Sequence, residues 1–322
     1  MNNYFISLFC LSLLLLLQYF FLYKFKNKNL FLKKNLINRW SNENSFLVGG
    51  PIFFVSIILI YIFNLFYFEK TIITNLDLLV LIIFFIIGFY DDKYNLNGRV
   101  KLTIYFLIIF LITILYFYQN ISFNYVNYFI LSFLLFVIFV SLNIIDNIDG
   151  LFILNFISII LFFIFLLLFN NILITSLYLT SILLIALFFL TLNLFKSHNY
   201  LGDSGSNLLS IFLVLFFLKI QNEIDFYQPS YLHNLVMLIG IFSYSLFDIF
   251  YVSSKRLYNS LSPLTGGSDH SSHVIAMYFK SKFKSIILIS MINSFVLILA
   301  LFYYREIIET SLFIFFILFI YL

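Results

Sequence analysis

Residues 74–92 of the chain read TNLDLLVLIIFFIIGFYDD. Every position from Ile82 to Ile87 is apolar, whereas a strand of a membrane barrel would alternate polar and apolar residues. A mainly apolar stretch as long as residues 74–90 predicts a helix that crosses a membrane, because about 20 helical residues span a hydrocarbon core. The run ends in two adjacent carboxylates, Asp91 and Asp92.

Comparable runs recur along the whole chain. Of its 322 residues, 63% are hydrophobic and 10% are charged, far from the roughly 25% charged residues of a soluble protein. The sequence therefore predicts an all-α fold, a polytopic transmembrane helical bundle that forms one integral-membrane domain over residues 1–322. We predict about eleven spans, at residues 3–23, 46–67, 74–90, 102–118, 125–143, 149–169, 171–194, 206–222, 231–251, 283–303 and 309–322.

The basic residues predict the orientation of the chain, because Lys and Arg in short loops stay on the cytoplasmic side. Most of the 18 basic residues fall in or beside the first, third, fifth, seventh and ninth loops between the predicted spans. The amino terminus is therefore expected outside and the carboxyl terminus inside, with the first span retained because it lacks a cleavage site. This topology accounts for the net charge of +4, so no nucleic-acid partner is expected. The residues assigned to cytoplasmic loops are Lys24, Lys26, Lys28, Lys33, Lys34, Arg39, Lys93, Arg99, Lys101, Lys196, Lys255, Arg256, Lys280, Lys282 and Lys284.

Four polar clusters lie in these predicted cytoplasmic loops. The first is the pair Asp91 and Asp92, whose adjacent charges repel one another at the end of a helix. Such a pair favours a cation, which Lys93, Arg99 or Lys101 could supply. A divalent metal, or a substrate phosphate held between the acids and Lys101, would serve equally well. A solvated loop is the alternative interpretation.

The second cluster consists of Asn143, Asp146 and Asp149, which stand three residues apart. In a helix, this spacing would place them on one face. A central Asp costs roughly 2.5–3.5 kcal/mol on membrane-insertion scales, so an aqueous cleft between helices is favoured over contact with lipid. A polar turn that joins two helices is the alternative.

The third cluster is the segment Gly202-Asp203-Ser204-Gly205-Ser206, which directly precedes an apolar run. Free backbone N–H groups at a helix start suit a phosphate, and Asp203 could hold a metal that bridges the same phosphate. An ordinary capped turn, with Ser204 or Ser206 as the cap, explains the segment equally well.

The fourth cluster contains His270 and His273, which follow Asp269. Protonated histidines could bind a phosphate or a sugar, and neutral ones could bind a metal. Histidines without a functional role are the alternative interpretation.

The four clusters together resemble the motifs of the polyprenyl-phosphate N-acetylhexosamine-1-phosphate transferase family, which includes WecA-type enzymes and the phospho-MurNAc-pentapeptide transferases of peptidoglycan synthesis. The similarity covers most of the chain in motif order, spacing and helix count, and a Gly-Gly pair at Gly49 also fits. The matching residues are Asp91, Asp92 and Lys101 for the paired aspartates and their downstream lysine, Asn143, Asp146, Asp149, Gly150 and Leu151 for NxxDGxDGL, Gly202, Asp203, Gly205 and Ser206 for GDxGS, and Asp248, Pro263, Asp269, His270 and His273 for the histidine motif.

The resemblance implies a role for each motif. It implies that Asp203 ligates Mg²⁺, with Mn²⁺ as an alternative ion, and that Asp91 or Asp92 activates the lipid phosphate or joins the metal site. The resemblance also implies two groups of substrate-binding residues: Asn143, Asp146 and Asp149 for the nucleotide, and Lys101, His270 and His273 for the diphosphate or the sugar.

The implied reaction transfers a sugar 1-phosphate from a UDP-N-acetylhexosamine to undecaprenyl or another polyprenyl phosphate and releases UMP. It would take place at the cytoplasmic face of a bacterial inner membrane and start a surface glycan such as O-antigen or capsule. Either the lipid phosphate attacks directly, or an aspartate first forms a phospho-enzyme, and the sequence does not distinguish the two routes. It also does not distinguish a monomer from a homodimer.

Two other functions compete with this interpretation. A phospho-MurNAc-pentapeptide transferase would use the same chemistry on another donor, and a transporter would place polar groups near the membrane midplane. A homologue without activity is a third alternative, because Val140 stands where many members have Asn, Asn147 replaces a Gly, and Val274 follows His273 where His or Arg is usual.

Overall fold

The computed structural model describes residues 17, 32–33, 45–67, 73–117, 125–195, 199–223, 231–263, 267 and 269–321. Over these ranges the chain is mostly helical, with three very short strands. The strands are β1 (Leu32–Lys33), β2 (Ser45–Leu47) and β3 (Asn199–Tyr200). The helices are α1 (Gly49–Tyr67), α2 (Asn75–Tyr94), α3 (Gly98–Phe117), α4 (Tyr125–Ile144), α5 (Leu151–Phe169), α6 (Leu173–Phe195), α7 (Gly202–Glu223), α8 (Tyr231–Ile241), α9 (Ser243–Tyr258), α10 (Ser271–Phe279), α11 (Lys282–Tyr304) and α12 (Thr310–Tyr321).

Six of the described helices are long and apolar enough to cross a membrane, and α8 with α9 raises the number to seven if that bent pair counts as one span. Helices α1 and α12 are shorter apolar helices. The chain is therefore a multi-pass, helical membrane protein, and the total of about eleven spans stays a prediction. The span at 3–23 and the basic residues Lys24, Lys26, Lys28, Lys34, Arg39 and Lys196 lie outside the described residues.

Helix α2 extends past the predicted end at residue 90. Thr74 and Asp77 form a capping box at its start, in which each side chain accepts a hydrogen bond from the other residue's backbone N–H, at 3.2 and 2.8 Å. At the other end, Asn95 takes a left-handed conformation with φ of 49°. Asp91 and Asp92 therefore lie in the last turns of the helix, not in the loop that follows it.

The span predicted at 231–251 is wrong as a single helix, because α8 and α9 meet at an angle of 78°. Ser243 and Ser245 directly follow the break in an otherwise apolar stretch. Gly240 lies just before the break, and a Cβ there would stand 2.6 Å from the ring of Phe313. The second helix continues to Tyr258, which places Asp248 inside it.

The helices and strands form two compact units. The first comprises Met1–Asn95 and Phe163–Leu209, and the second comprises Leu96–Phe162 and Ser210–Leu322. In the first unit, β2 pairs antiparallel with β1 and parallel with β3. Because β2 leads into α1 and β3 into α7, the starts of these helices lie side by side. That one integral-membrane domain covers both units stays a prediction.

Candidate active site

In the first unit, Asp92 joins the end of α2 to the start of α7. Its Oδ1 accepts a hydrogen bond from the backbone N–H of Asp203 at 2.9 Å, and its Oδ2 accepts one from the N–H of Ser204 at 3.0 Å. Asp91 and Asp92 are only 7% and 8% exposed. The first turn of a helix carries unsatisfied N–H groups and a partial positive charge. The buried carboxylate of Asp92 is therefore stabilised where it lies.

Two glycines make this contact sterically feasible. Gly202 has a φ of +75°, which strongly favours glycine, and a Cβ there would stand 2.9 Å from Oδ2 of Asp92. A Cβ at Gly88 would stand 2.6 Å from the Cα of Ser204. Side chains at these positions would push the two helices apart. The glycines are therefore part of the arrangement that holds Asp92 against α7.

The contact changes the interpretation of the helix start at Asp203. The sequence predicts free N–H groups there for a phosphate, but those of Asp203 and Ser204 donate to Asp92. Both oxygens of a carboxylate can act in the way that phosphate oxygens would. The Asp203 side chain itself is half-buried in the first turn of α7.

In the second unit, the cluster of Asn143, Asp146 and Asp149 follows the end of α4. Only Asn143 lies in the helix, because α4 ends at Ile144 and the next residues form turns. The predicted continuous helical face is therefore absent. All three polar residues are half-buried, whereas Ile145 and Ile148 between them are buried. The two buried isoleucines anchor the segment through their apolar side chains. The polar side chains stay half-buried in a turn, which is the alternative arrangement given for this cluster.

Residues 269–273 of the second unit form the histidine segment, which contains His270 and His273. It is held by Asp248, which is fully buried. One of its oxygens lies 2.8 Å from Nδ1 of His270. The other accepts hydrogen bonds from the backbone N–H of Ser271, at 2.9 Å, and from the Ser271 hydroxyl. Asp248 thus caps α10 and fixes the orientation of the His270 ring. The carboxylate favours a proton on Nδ1, which leaves Nε2 as the nitrogen that would act on a ligand.

Asp269 forms a bidentate ion pair with Arg256 at the end of α9. The Nε and Nη2 atoms of Arg256 donate to the two carboxylate oxygens at 2.8 and 2.6 Å, and its Nη1 donates to the carbonyl of Pro263 at 2.9 Å. These hydrogen bonds from Arg256 lower the pKa of Asp269 to about 2. Asp269 is therefore ionised at neutral pH and holds the loop before α10.

His273 lies in the first turn of α10 and is buried. Burial lowers the pKa of His273 below 6.5, and the neighbouring His270, whose ring centroid is 6.2 Å away, lowers it further. The neutral imidazole is therefore the favoured form at pH 7. This form suits a hydrogen bond to a ligand better than an ion pair.

Ser272 connects α10 to the turn after α4. Its hydroxyl donates to Oδ1 of Asn147 at 2.9 Å, while the buried Nδ2 of Asn147 has no hydrogen-bond partner among the residues that the structure describes. A neutral hydrogen bond stabilises a fold by about 0.5–1.5 kcal/mol, whereas an unsatisfied buried donor costs about 1–3 kcal/mol. The net contribution of Asn147 to folding stability is therefore close to zero or unfavourable.

Lys101 lies in the first turn of α3, where its side chain is half-buried. Its Nζ stands 5.9 Å from the ring centroid of the buried Tyr105, which packs edge-on against Phe139. The charged end of Lys101 thus lies within reach of the Tyr105 ring, as a weak cation–π contact.

The family model for glycosyl transferase family 4 matches residues 75–221. That segment belongs to this family. It is the family of WecA-type and related polyprenyl-phosphate transferases, so the recognition made from the motifs is confirmed. The matched segment contains three of the four polar clusters and ends before the histidine segment. A comparison with curated proteins finds no match.

Enzymes of glycosyl transferase family 4 act on a nucleotide-sugar donor and a lipid acceptor in a membrane. A donor diphosphate raises the question whether the polar residues of this chain could bind a divalent metal. Among the residues described, no three His, Cys, Asp or Glu side chains lie together in a metal-binding arrangement. Mg²⁺ usually binds through one or two carboxylates, waters and substrate phosphates. In the first unit, Asp91 and Asp203 are the carboxylates that would serve as such ligands.

The partners that position the family's motif residues were not predicted from the sequence. Arg256 was assigned only to topology, and Ser271 and Ser272 were given no role. Asp248 and Arg256 are eight residues apart on one helix, a spacing that places both on the same face. Predicting one helix through residue 258 would therefore have placed both side chains on one face, ahead of the histidine segment in the chain.

Proposed function

We propose that this family 4 glycosyl transferase moves N-acetylhexosamine 1-phosphate from a UDP-sugar to polyprenyl phosphate and releases UMP. The observation that carries the proposal is the contact between the paired-aspartate motif and the Gly-Asp-x-Gly-Ser motif. Asp92 forms it by accepting the N–H groups of Asp203 and Ser204. The Asp92 carboxylate thus holds the paired-aspartate motif against the backbone of the Gly-Asp-x-Gly-Ser motif within the matched segment. Phosphoryl transfer depends on such positioning of the groups around the phosphate.

Asp91 is the residue that we assign to the lipid phosphate. Asp92 already accepts two backbone hydrogen bonds and is held between two helices, so its main role is to hold Asp91 and Asp203 near one another. Asp91 precedes it in the same buried turn of α2. A carboxylate there can orient the lipid phosphate and accept its remaining proton.

Asp203 is the residue that we assign to Mg²⁺, with Asp91 as a second candidate ligand. The ion would neutralise negative charge on the diphosphate as the transferred group changes partner. The protein's own contribution is to hold the Asp203 carboxylate at the start of α7, where the helix is tied to α2 through Asp92.

The second unit supplies the residues that we assign to the donor. Asn143, Asp146 and Asp149 form a half-buried polar surface beside two buried isoleucines and would bind the nucleotide. His270 is oriented by Asp248, and the neutral His273 favours hydrogen bonding. These two histidines, with Lys101, would contact the diphosphate or the sugar.

In the proposed reaction, an oxygen of the lipid phosphate attacks the β-phosphorus of the UDP-sugar. A bond forms between that oxygen and the β-phosphorus, and the bond from the β-phosphorus to the oxygen that bridges the α-phosphorus breaks. The electron pair leaves with UMP, and the product is a polyprenyl diphosphate sugar. We place the reaction at the cytoplasmic face of a bacterial inner membrane, where the product would start a surface glycan.

Purified protein in detergent should convert undecaprenyl phosphate to a lipid-linked sugar when Mg²⁺ and a radiolabelled UDP-N-acetylhexosamine are added. UMP release and labelled lipid should appear in equal amounts. The matched control is Glu309→Gln, which removes an exposed carboxylate outside the site and should leave the rate unchanged. Absence of lipid product with every sugar would refute the proposal, and product only from the UDP-MurNAc-pentapeptide would reassign the donor.

A further inference from the structure

The first turn of α10 is held at two points within the second unit. Asp248 of α9 binds His270 and Ser271, and Asn147 of the turn after α4 binds the next residue, Ser272. His273 follows immediately. The hydrogen bond between Ser272 and Asn147 thus attaches the start of α10 to the segment that we assign to the nucleotide.

Asn147 has no evident role in stability. Its Oδ1 accepts the Ser272 hydroxyl, but its buried Nδ2 finds no partner in the described part of the chain, so the side chain is kept at a local energetic cost. Buried polar groups that cost stability commonly hold neighbouring groups in a defined arrangement. Asn147 lies between Asp146 and Asp149, so its bond fixes the distance between these acids and the start of α10.

We propose that Asn147 is a positioning residue that holds the start of α10 against the Asn143–Asp149 turn and so sets the affinity for the nucleotide-sugar donor. The inference rests on the proposed function. Asp248 still holds His270 and Ser271 when Asn147 is removed, so α10 should stay attached at its first residues while Ser272 is released. The cost should therefore fall on donor binding and leave the lipid acceptor unaffected.

Steady-state kinetics of Asn147→Ala, Ser272→Ala and the double variant test the proposal. Each single variant should raise the KM for the UDP-sugar about 5- to 10-fold, the effect of losing one hydrogen bond, with kcat and the KM for polyprenyl phosphate within about twofold of wild type. The double variant should be no worse than either single one, because both remove the same contact.

Ser141→Ala is the matched control. It removes another buried side-chain hydrogen bond of the second unit, from Ser141 to Ser245 at 3.0 Å, and should leave the donor KM unchanged. An equal rise in this control would show that general loosening is the cause. Additive effects of the two single variants, or a rise in the acceptor KM, would also overturn the proposal.

Hydrogen exchange tests the same contact without activity. Asn147→Ala should speed backbone amide exchange in residues 271–274 and leave the middle of α9 unchanged. Unchanged exchange in α10 would overturn the positioning role even in an inactive protein. Faster exchange with an unaltered donor KM would limit Asn147 to a structural role and would overturn the link to the donor, while the proposed transferase activity would stand.

Discussion

The carboxylate of Asp92 accepts a hydrogen bond from the backbone N–H of Asp203, which lies 111 residues further along the chain. Its second oxygen accepts the N–H of Ser204. The pair of bonds satisfies two of the unpaired donors at the start of α7 and places a negative charge at the positive end of that helix. Asp92 is therefore the connection between the two acidic motifs.

Asp92→Asn should lower both thermal stability and activity. An amide offers one acceptor oxygen, so its NH2 group would face the second backbone N–H and leave a buried donor unsatisfied, at a cost of about 1–3 kcal/mol. Thermal unfolding in detergent should show a lower Tm than wild type. Glu309→Gln, an exposed change of the same chemistry, should keep the wild-type Tm. A wild-type Tm for Asp92→Asn would contradict the capping role.

Asp203→Asn should abolish turnover and change stability little. The variant keeps the backbone N–H that binds Asp92, and the loss of a negative charge at a helix start costs about 0.3–1 kcal/mol. Rates should be measured over a Mg²⁺ titration. Near-normal turnover at low Mg²⁺ would remove Asp203 from the metal site, whereas loss of turnover with a greatly lowered Tm would point to a structural role.

Gly202→Ala should destabilise the first unit. The left-handed φ of +75° at Gly202 costs a non-glycine residue about 1–2 kcal/mol, and the new Cβ would displace the Asp92 carboxylate. Gly98→Ala is the matched control, because a Cβ there meets nothing within 4 Å and alanine favours helix. The first variant should lose Tm and activity, and the control should equal or exceed wild-type Tm. Equal Tm values would contradict the close approach.

Much of the helical framework could be predicted from hydropathy alone. Long apolar runs such as α4 and α5 begin and end within a few residues of their predicted bounds, because the membrane sets their length. The break at Phe242 was missed: Ser243 and Ser245 follow it, but small polar residues also occur inside continuous membrane helices and do not by themselves predict a break. Helix α10 was missed because it is short and its start is capped by Asp248, a residue of another helix.

The candidate site was predictable as a set of residue types but not as a set of contacts. Motif spacing identified Asp92 and Asp203, yet it contains no information that one carboxylate caps the helix of the other. It likewise identified His273 but not the bond of Ser272 to Asn147, two residues 125 positions apart. Such contacts depend on tertiary packing, which local periodicity does not describe.

His273 should make the protein less stable as the pH falls. Burial lowers the pKa of His273 below 6.5 in the folded state, so the unfolded chain binds the proton first, and stability is full above about pH 6.5 and declines below it. His273→Gln, which does not titrate, should reduce this decline in Tm between pH 7 and pH 5. An identical pH dependence in both proteins would show that His273 is not held neutral.

Arg256→Lys should weaken the loop before α10, although it keeps the positive charge. A lysine cannot make the two parallel hydrogen bonds to Asp269 and the third to Pro263 that Arg256 makes. The expected loss is about 1–3 kcal/mol at pH 7, seen as a lower Tm. Arg99→Lys, the same change at an exposed residue, should have no effect on Tm.

Because Arg256 lowers the pKa of Asp269 to about 2, the ion pair stabilises the fold fully above about pH 4 and less as the pH falls towards 2. The difference between Arg256→Lys and wild type should therefore shrink at about pH 3, and a difference that persists there unchanged would mean that the ion pair is not its source.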